Sequence, residues 1–221
     1  MRKVTGAAFV SLDGVMQAPG GPTEDPTGGF DQGGWVFGIG DAVIDPVLGD
    51  LFDRPYALLL GRRTYDIFAA YWPFVEGEMA AMGAALTAAD KHVATHRDQP
   101  LAWANSHRLD GIAAIAALKQ SDGPDLLIQG SSTLYPPLLA AGLIDELVLM
   151  TFPVMLGTGK RLFGPGTPSG ALELLDHHVG AKGVIVTRWA QPGPIPTGDH
   201  PHPSTSAAES ERQQRIAAGT W

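Results

Sequence analysis

The sequence predicts an α/β fold, a mixed sheet that is mostly parallel with an antiparallel C-terminal edge and carries helices on both faces. Three observations carry this expectation. Short apolar segments at 4–12 (VTGAAFVSL), 56–60 (YALLL), 126–128 (LLI) and 146–152 (ELVLMTF) have little polar alternation, as strands covered on both sides require. Helix-like stretches at 41–52, 64–70, 76–89, 109–119 and 133–141 lie between the early strands, and the third and fourth are rich in alanine, the best helix former. That alternation implies parallel pairing through right-handed crossovers. The late strands, 146–152, 172–175 and 183–189, instead follow one another across turns such as Gly157-Thr158-Gly159 and Gly180-Ala181-Lys182-Gly183, which implies antiparallel pairing.

The chain of 221 residues is long enough for one domain and a tail. Residues 1–190 read as the domain; 191–221 read as a proline-rich linker followed by a short helix over 206–218. Ser206 and Glu209 have capping-box spacing there, and Gly219 supplies the stop. Few apolar residues lie in that helix, and both a solvated tail and a tail docked on a partner fit it. Fifteen Lys and Arg against 23 Asp and Glu give a net charge of −8, which argues against a nucleic-acid partner, because phosphate contacts need clustered cations. The absence of cysteine excludes a disulfide scaffold, a thiolate zinc site and a cysteine nucleophile. No apolar run reaches the ~18 residues of a membrane span. Met1-Arg2-Lys3-Val4 leads straight into a strand without a cleavage site, so a cytoplasmic protein is expected.

Two strand ends resemble each other. Leu126-Leu127-Ile128-Gln129-Gly130-Ser131-Ser132-Thr133-Leu134 runs from an apolar strand through glycine and three hydroxyl residues into a helix. Free N–H groups and the helix dipole attract anions at such a junction, although a plain Ser/Thr-capped turn reads the same way. Leu58-Leu59-Leu60-Gly61-Arg62-Arg63-Thr64-Tyr65 repeats the pattern with two arginines, whose guanidinium groups match phosphate oxygens. An arginine pair bridging to helix carboxylates such as Asp66 is the alternative. Open α/β sheets bind ligands outside the carboxyl ends of their strands, so two such turns suggest a dinucleotide with phosphates at separate points.

The first strand ends in Ser11-Leu12-Asp13-Gly14-Val15-Met16-Gln17 and enters a glycine-rich loop over 17–40. A loop this long inside a domain is functional or disordered. Asp13 suits the satisfaction of loop N–H groups. Phe30, Trp35 and Phe37 suit either a lid over a flat ring or anchors for the loop. Other chemistries find no support. Gly157-Thr158-Gly159-Lys160-Arg161 lacks the first glycine and the Ser/Thr of a phosphate loop, since Val154 and Arg161 stand there. No G-x-G-x-x-G follows a strand, and neither G-x-S-x-G nor H-E-x-x-H occurs. His92 and His96, on a strand, would lie ~13 Å apart, too far for one metal. His200 and His202 fall in the proline-rich segment, and no metal site is expected.

The segments 11–21 (SLDGVMQAPGG), 58–73 (LLLGRRTYDIFAAYWP), 127–163 and the closing strand near 184–189 together resemble the dihydrofolate-reductase-like superfamily. Within it they are most similar to stand-alone relatives of the reductase domain of the riboflavin-biosynthesis deaminase-reductase. The resemblance implies an NADPH-dependent reductase of a pterin- or pyrimidine-like heterocycle, with a homodimer as the expected assembly. Gly61, Arg62, Arg63 and Thr64 would hold the adenosine-side phosphates. Gly130, Ser131, Ser132, Thr133 and Leu134 would cradle the pyrophosphate. Met16 and Gln17 would flank the nicotinamide, and Phe9, Trp35 and Gln129 would face the substrate. Gln129 stands where the riboflavin enzyme has a substrate-contacting glutamate, and Ser131 replaces a second glycine. Asp45, sixteen residues before Gly61, has the spacing of the buried catalytic carboxylate of folate reductases. Pro46 beside it equally suits a helix cap with proline at the first helical position.

Overall fold

The structure, a computed structural model, describes residues 1–199 and 206–221; His200 and His202 lie outside them. Its centre is an eight-stranded sheet in the order β4 (Ser106–Leu109), β3 (Lys91–Ala94), β2 (Tyr56–Gly61), β5 (Asp125–Gln129), β1 (Val4–Ser11), β6 (Glu146–Phe152), β8 (Ile185–Ala190), β7 (Leu174–Val179). The first six strands in this order are parallel; β6, β8 and β7 pair antiparallel. The mixed sheet of the sequence reading is therefore present.

Apolar residues split by strand parity into two cores. Ala7, Leu58, Leu60, Val93, Leu127, Val148 and Met150 pack on one face beneath α1 (Asp45–Phe52), α2 (Arg62–Tyr71) and α3 (Ala80–Ala88). Val4, Ala8, Leu59, Leu126, Ile128 and Leu147 pack on the other beneath α4 (Gly111–Gln120) and α5 (Tyr135–Ala140). Each central strand alternates sides yet stays apolar, since both faces are covered. Tyr135 pins α5 to the sheet. Its ring lies where a Cβ on Gly6 would be, 2.6 Å away, and its hydroxyl donates to the Ala7 carbonyl at 3.2 Å.

Three expectations change in detail. Leu109, expected to open a helix, instead closes a strand, β4, whose other residues were assigned to no element. The segment is SHRL and half exposed, so neither periodicity nor hydrophobicity marks it. The strand expected at 172–175 is shifted to Leu174–Val179. Its register is set by the tight turn at 180–183, where Gly180 N–H donates to Val184 C=O at 2.8 Å and Gly183 N–H to Gly180 C=O at 3.1 Å, rather than by its leucines. The helix expected from 41 starts as a short 3₁₀ turn, Ala42–Ile44, before α1. Past β8, α6 (Ala207–Ala217) has Ser206 as its cap, accepting from Glu209 N–H at 3.2 Å, and buries no residue.

Candidate active site

The carboxyl ends of β2 and β5, adjacent in the sheet, bring the two glycine junctions into contact. Gly61 N–H donates to Ser131 Oγ at 2.8 Å. A Cβ on Gly130 would stand 3.1 Å from Thr64 Cγ2, so glycine lets the second turn lie against the start of α2. Gly130 and Ser131 both take positive φ, +73° and +67°. For serine this left-handed backbone costs roughly 1–2 kcal/mol, and the hydroxyl bridge to Gly61 helps hold it there. Leu134 N–H closes the turn on the Ser131 carbonyl at 2.8 Å. α2 begins after Gly61 with no side-chain cap, which leaves the N–H groups of its first turn for a ligand beside the contact.

The two arginines differ. Arg62 lies back along α2, with Nε donating to Asp66 Oδ1 at 2.8 Å and Nη1 to the Gln99 carbonyl at 2.9 Å. The bridge to Asp66 thus exists, and it fastens the 95–99 segment to the junction. Arg63 is half exposed and extends towards Asp25 in the glycine-rich loop, 3.8 Å away.

That loop is built rather than slack. Gln17, 4% exposed, donates from Nε2 to the carbonyls of Asp25 and Thr27 at 2.8 and 2.9 Å and accepts Lys160 N–H at 2.9 Å. Its carboxamide is thereby committed inside the loop. Its own carbonyl accepts Trp35 Nε1–H at 2.9 Å. Trp35 is buried edge-on against Phe152, with centroids 5.3 Å apart, and Phe30 is buried as well, so these two aromatics anchor the loop while Phe37 stands exposed. Met16 is buried in the core beneath α5. Burial raises the proton affinity of Asp25, but Lys160 and Thr27 outweigh it and hold the carboxyl below its ordinary pKa. Asp13 accepts from the Ser11 hydroxyl and from the N–H groups of Leu156 and Gly157, which lower its pKa to about 2. It performs the loop-holding role that its turn context suggested.

Between loop and sheet, Phe9, Trp35 and Gln129 share the face that carries α1. Phe9 lies 6.0 Å from the Phe152 ring, which Trp35 also touches. Gln129 Oε1 is buried without a hydrogen-bond partner among the described residues. An unpaired buried acceptor costs roughly 1–3 kcal/mol, so this amide is poised to bond an incoming donor. Asp45 does not meet the expectation of a buried carboxylate. It is exposed on α1, and the cap reading fails too, because the capping side chain is Asp41, which accepts Val43 N–H at 3.2 Å. The chain needs four more residues to enter α1, so Pro46 marks the α-helical start and not the cap.

Residues 2–186 match the family model of the RibD C-terminal domain. The chain belongs to this family. It is 25% identical over 190 residues to the uncharacterized protein YyaP of Bacillus subtilis, covering 81% of this chain and 91% of the relative. Among solved structures it resembles a putative riboflavin biosynthesis protein from Shewanella at 20% identity, a TM-score of 0.63 and coverage of 86% of this chain and 98% of that one. A pyrimidine reductase-like protein from Corynebacterium diphtheriae aligns at 16% identity, a TM-score of 0.57 and 86% and 91% coverage. Dihydrofolate reductase of Enterococcus faecalis, complexed with NADP(H), aligns at 14%, a TM-score of 0.54 and 86% and 96%. Family and fold point to a reductase-type protein of dihydrofolate-reductase-like architecture. No helix of the described residues is long and apolar enough to cross a membrane.

In this RibD C-terminal domain fold, several site residues escaped the sequence reading. The 157–161 segment, rejected as a phosphate loop, is the second strut of the site. Met16 N–H donates to Lys160 C=O at 2.8 Å, Leu162 N–H to Gly14 C=O at 3.0 Å, and Lys160 Nζ reaches Asp25 and Thr27. Arg161 donates to the Asp13 carbonyl. Lys160 and Asp25 are 135 residues apart, so no local pattern could join them. Gln99 lay in a segment without motif. Metal-ligating clusters of three or more such side chains are absent among the described residues.

Proposed function

We propose that this protein is an NADPH-dependent reductase of a small pterin- or pyrimidine-like heterocycle, acting in the cytoplasm with a second copy of itself as its partner and with neither nucleic acid nor membrane. The observation that carries the reading is the contact of the two phosphate-ready turns, Gly61 N–H on Ser131 Oγ at 2.8 Å. Strand-end turns that touch offer one continuous anion cradle. The glycine at 130 contributes in a second way: it lets the turn close on Thr64, which a Cβ would meet at 3.1 Å, and so keeps the two turns together.

The nicotinamide would supply hydride, and the chain supplies position and electrostatics. Gly130, Ser131, Ser132 and Thr133 would take the pyrophosphate and Thr64 the adenosine-side phosphate, while Gly61 and Leu134, whose N–H groups bond Ser131, shape the cradle. Ser131 keeps its O–H proton free to donate, because its oxygen accepts from Gly61. Arg63 is the cation with room to move onto a 2′-phosphate and so favours NADPH over NADH, while Arg62 fixes the neighbouring 95–99 segment. Met16 and Gln17 support the nicotinamide end through the backbone of their loop. Phe9 and Trp35 exclude water from the ring, and Gln129 orients the substrate through its amide oxygen, which has no hydrogen-bond partner among the described residues.

A non-catalytic nucleotide-binding module of the same fold is the second reading, and the exposure of Asp45 favours it, since no buried carboxylate then serves as proton donor from α1. Fluorescence titration with NADPH and NADH tests both. The reductase reading expects saturable binding that prefers NADPH, a preference reduced about tenfold in Arg63→Ala, and substrate-dependent NADPH oxidation within a panel of pterins, ribosylaminopyrimidines and flavins. Binding without turnover across the panel selects the module. Absence of nucleotide binding removes both.

A further inference from the structure

The antiparallel edge of the sheet ends on β7, and all six of its residues, Leu174–Val179, are exposed. Soluble proteins blunt such edges with lysine, proline or a covering loop, because the outer row of N–H and C=O groups invites pairing. LLDHHV has neither lysine nor proline. Leu174, Leu175 and Val179 are 45, 49 and 68% exposed, and Ile185 on the neighbouring strand is 39% exposed. The only irregularity is the register shift between Leu174 and Asp176, at the start of the strand.

The hydrogen-bond phase of β7 follows from its hairpin. Gly180 N–H donates to Val184 C=O, and bonded pairs alternate with non-bonded pairs along an antiparallel ladder. Counting back through the register, the backbone groups of His178 and Asp176 face β8, and those of His177 and Val179 face outward. Two copies related by a two-fold axis can therefore pair edge to edge with the axis at Asp176, His177 or His178. An axis at Asp176 sets that carboxylate against itself. An axis at His178 sets that imidazole against itself and puts Asp176 opposite Gly180, which offers it no side chain. An axis at His177 also sets an imidazole against itself, on the other face, but places Asp176 opposite His178 of the second copy, twice. The two side chains already interact within one copy, Nε2 to Oδ2 at 3.1 Å, so they share a face and complementary chemistry.

We infer that β7 is the surface through which this chain pairs with a second copy of itself, antiparallel about His177, joining two sheets into one. The inference rests on the self-association proposed above and is independent of the reductase reading. Light scattering on the full chain reads the mass against 23.2 kDa for one copy. The expected result is twice that mass at micromolar concentration. Val179→Lys, which alters an exposed side chain, and His177→Pro, which removes an outward N–H, are expected to raise the dimer dissociation constant about tenfold or more without changing circular dichroism. The chain has no cysteine, so His177→Cys gives a single reporter thiol. Mild oxidation should join its copies, since Cα atoms of a bonded antiparallel pair lie ~5.5 Å apart, within disulfide reach. A wild type that stays at single-copy mass overturns self-association and the edge together. A dimer that survives both edge variants leaves self-association standing and overturns β7. A dimer in which His177→Cys does not cross-link overturns the register.

Discussion

At the N-terminal ends of the parallel strands, every prominent charge has a partner. Lys3 and Arg188 close on Glu146, Arg188 also bonds Asp50 at 2.8 Å, Asp50 holds Arg54, and Lys119 meets Asp145. Lys91, fully buried, spends its ammonium on the carbonyls of Leu86 and Thr87, which end α3, and on the Trp103 ring at 4.3 Å. At the carboxyl ends the pattern is different. There lie a serine at φ +67°, a helix start without a side-chain cap, a half-exposed arginine and a buried acceptor without a partner among the described residues. The two ends share strands and cores and differ in what is left unspent. Stability is concentrated where polar groups are saturated, and binding capacity where strain and unpaired groups persist.

The largest expected effect falls on the saturated end. Glu146→Ala leaves Arg188 with Asp50 alone and strips Lys3 of its partner, and should cost about 3 kcal/mol in urea denaturation with NADPH affinity unchanged. Burial acts to raise the Glu146 pKa, yet Lys3 and Arg188 outweigh it and hold it below the ordinary value. This contribution is therefore present above the carboxyl's unfolded pKa and lost as pH falls through its folded one. A matching loss of NADPH affinity in Glu146→Ala would break the contrast between the ends.

Gly130→Val tests the other end. A β-branched residue at φ +73°, with its Cβ against Thr64, should weaken NADPH about a hundredfold by fluorescence titration, equivalent to ~2.7 kcal/mol. Unchanged binding would remove the cradle. Ser131→Gly and Ser131→Ala sharpen it. The glycine relieves the positive φ and the alanine does not, while both delete the bridge to Gly61. Urea curves should show glycine more stable than alanine by about 1 kcal/mol, with NADPH weakened several-fold in both. Equal stability would mean that the serine backbone is unstrained.

The smallest effect is a pH slope. Burial pushes the Lys91 ammonium down to about 8, against 10.5 for an unperturbed lysine. The unfolded chain then binds more protons between those values, so the stability of the wild type relative to Lys91→Met should rise as pH climbs from 8 towards 10.5. A flat difference across that interval would show that the contacts to the two carbonyls and Trp103 fully compensate the burial.

Much of the parallel core was legible because apolar runs and Ala-rich stretches are local signals. β6 is found at its expected boundaries, and β1, β2 and β5 within one residue at each end. β4 and β7 were missed or shifted because SHRL and LLDHHV carry no periodic burial, and pairing partners fix where they lie. The glycine junctions were legible as chemistry, and their meeting was not. The sequence by itself determined the two-faced sheet, the antiparallel edge and the residue types at each strand end, since these follow from side-chain periodicity, turn residues and propensity. Only the tertiary structure decided that Gly61 touches Ser131, that Lys160 closes on Asp25, that Arg62 is held by Asp66 and Gln99 while Arg63 reaches only towards Asp25, and that Asp45 faces solvent. Each of those depends on strand order, helix rotation or the packing of segments more than a hundred residues apart, and no short stretch of chain encodes them.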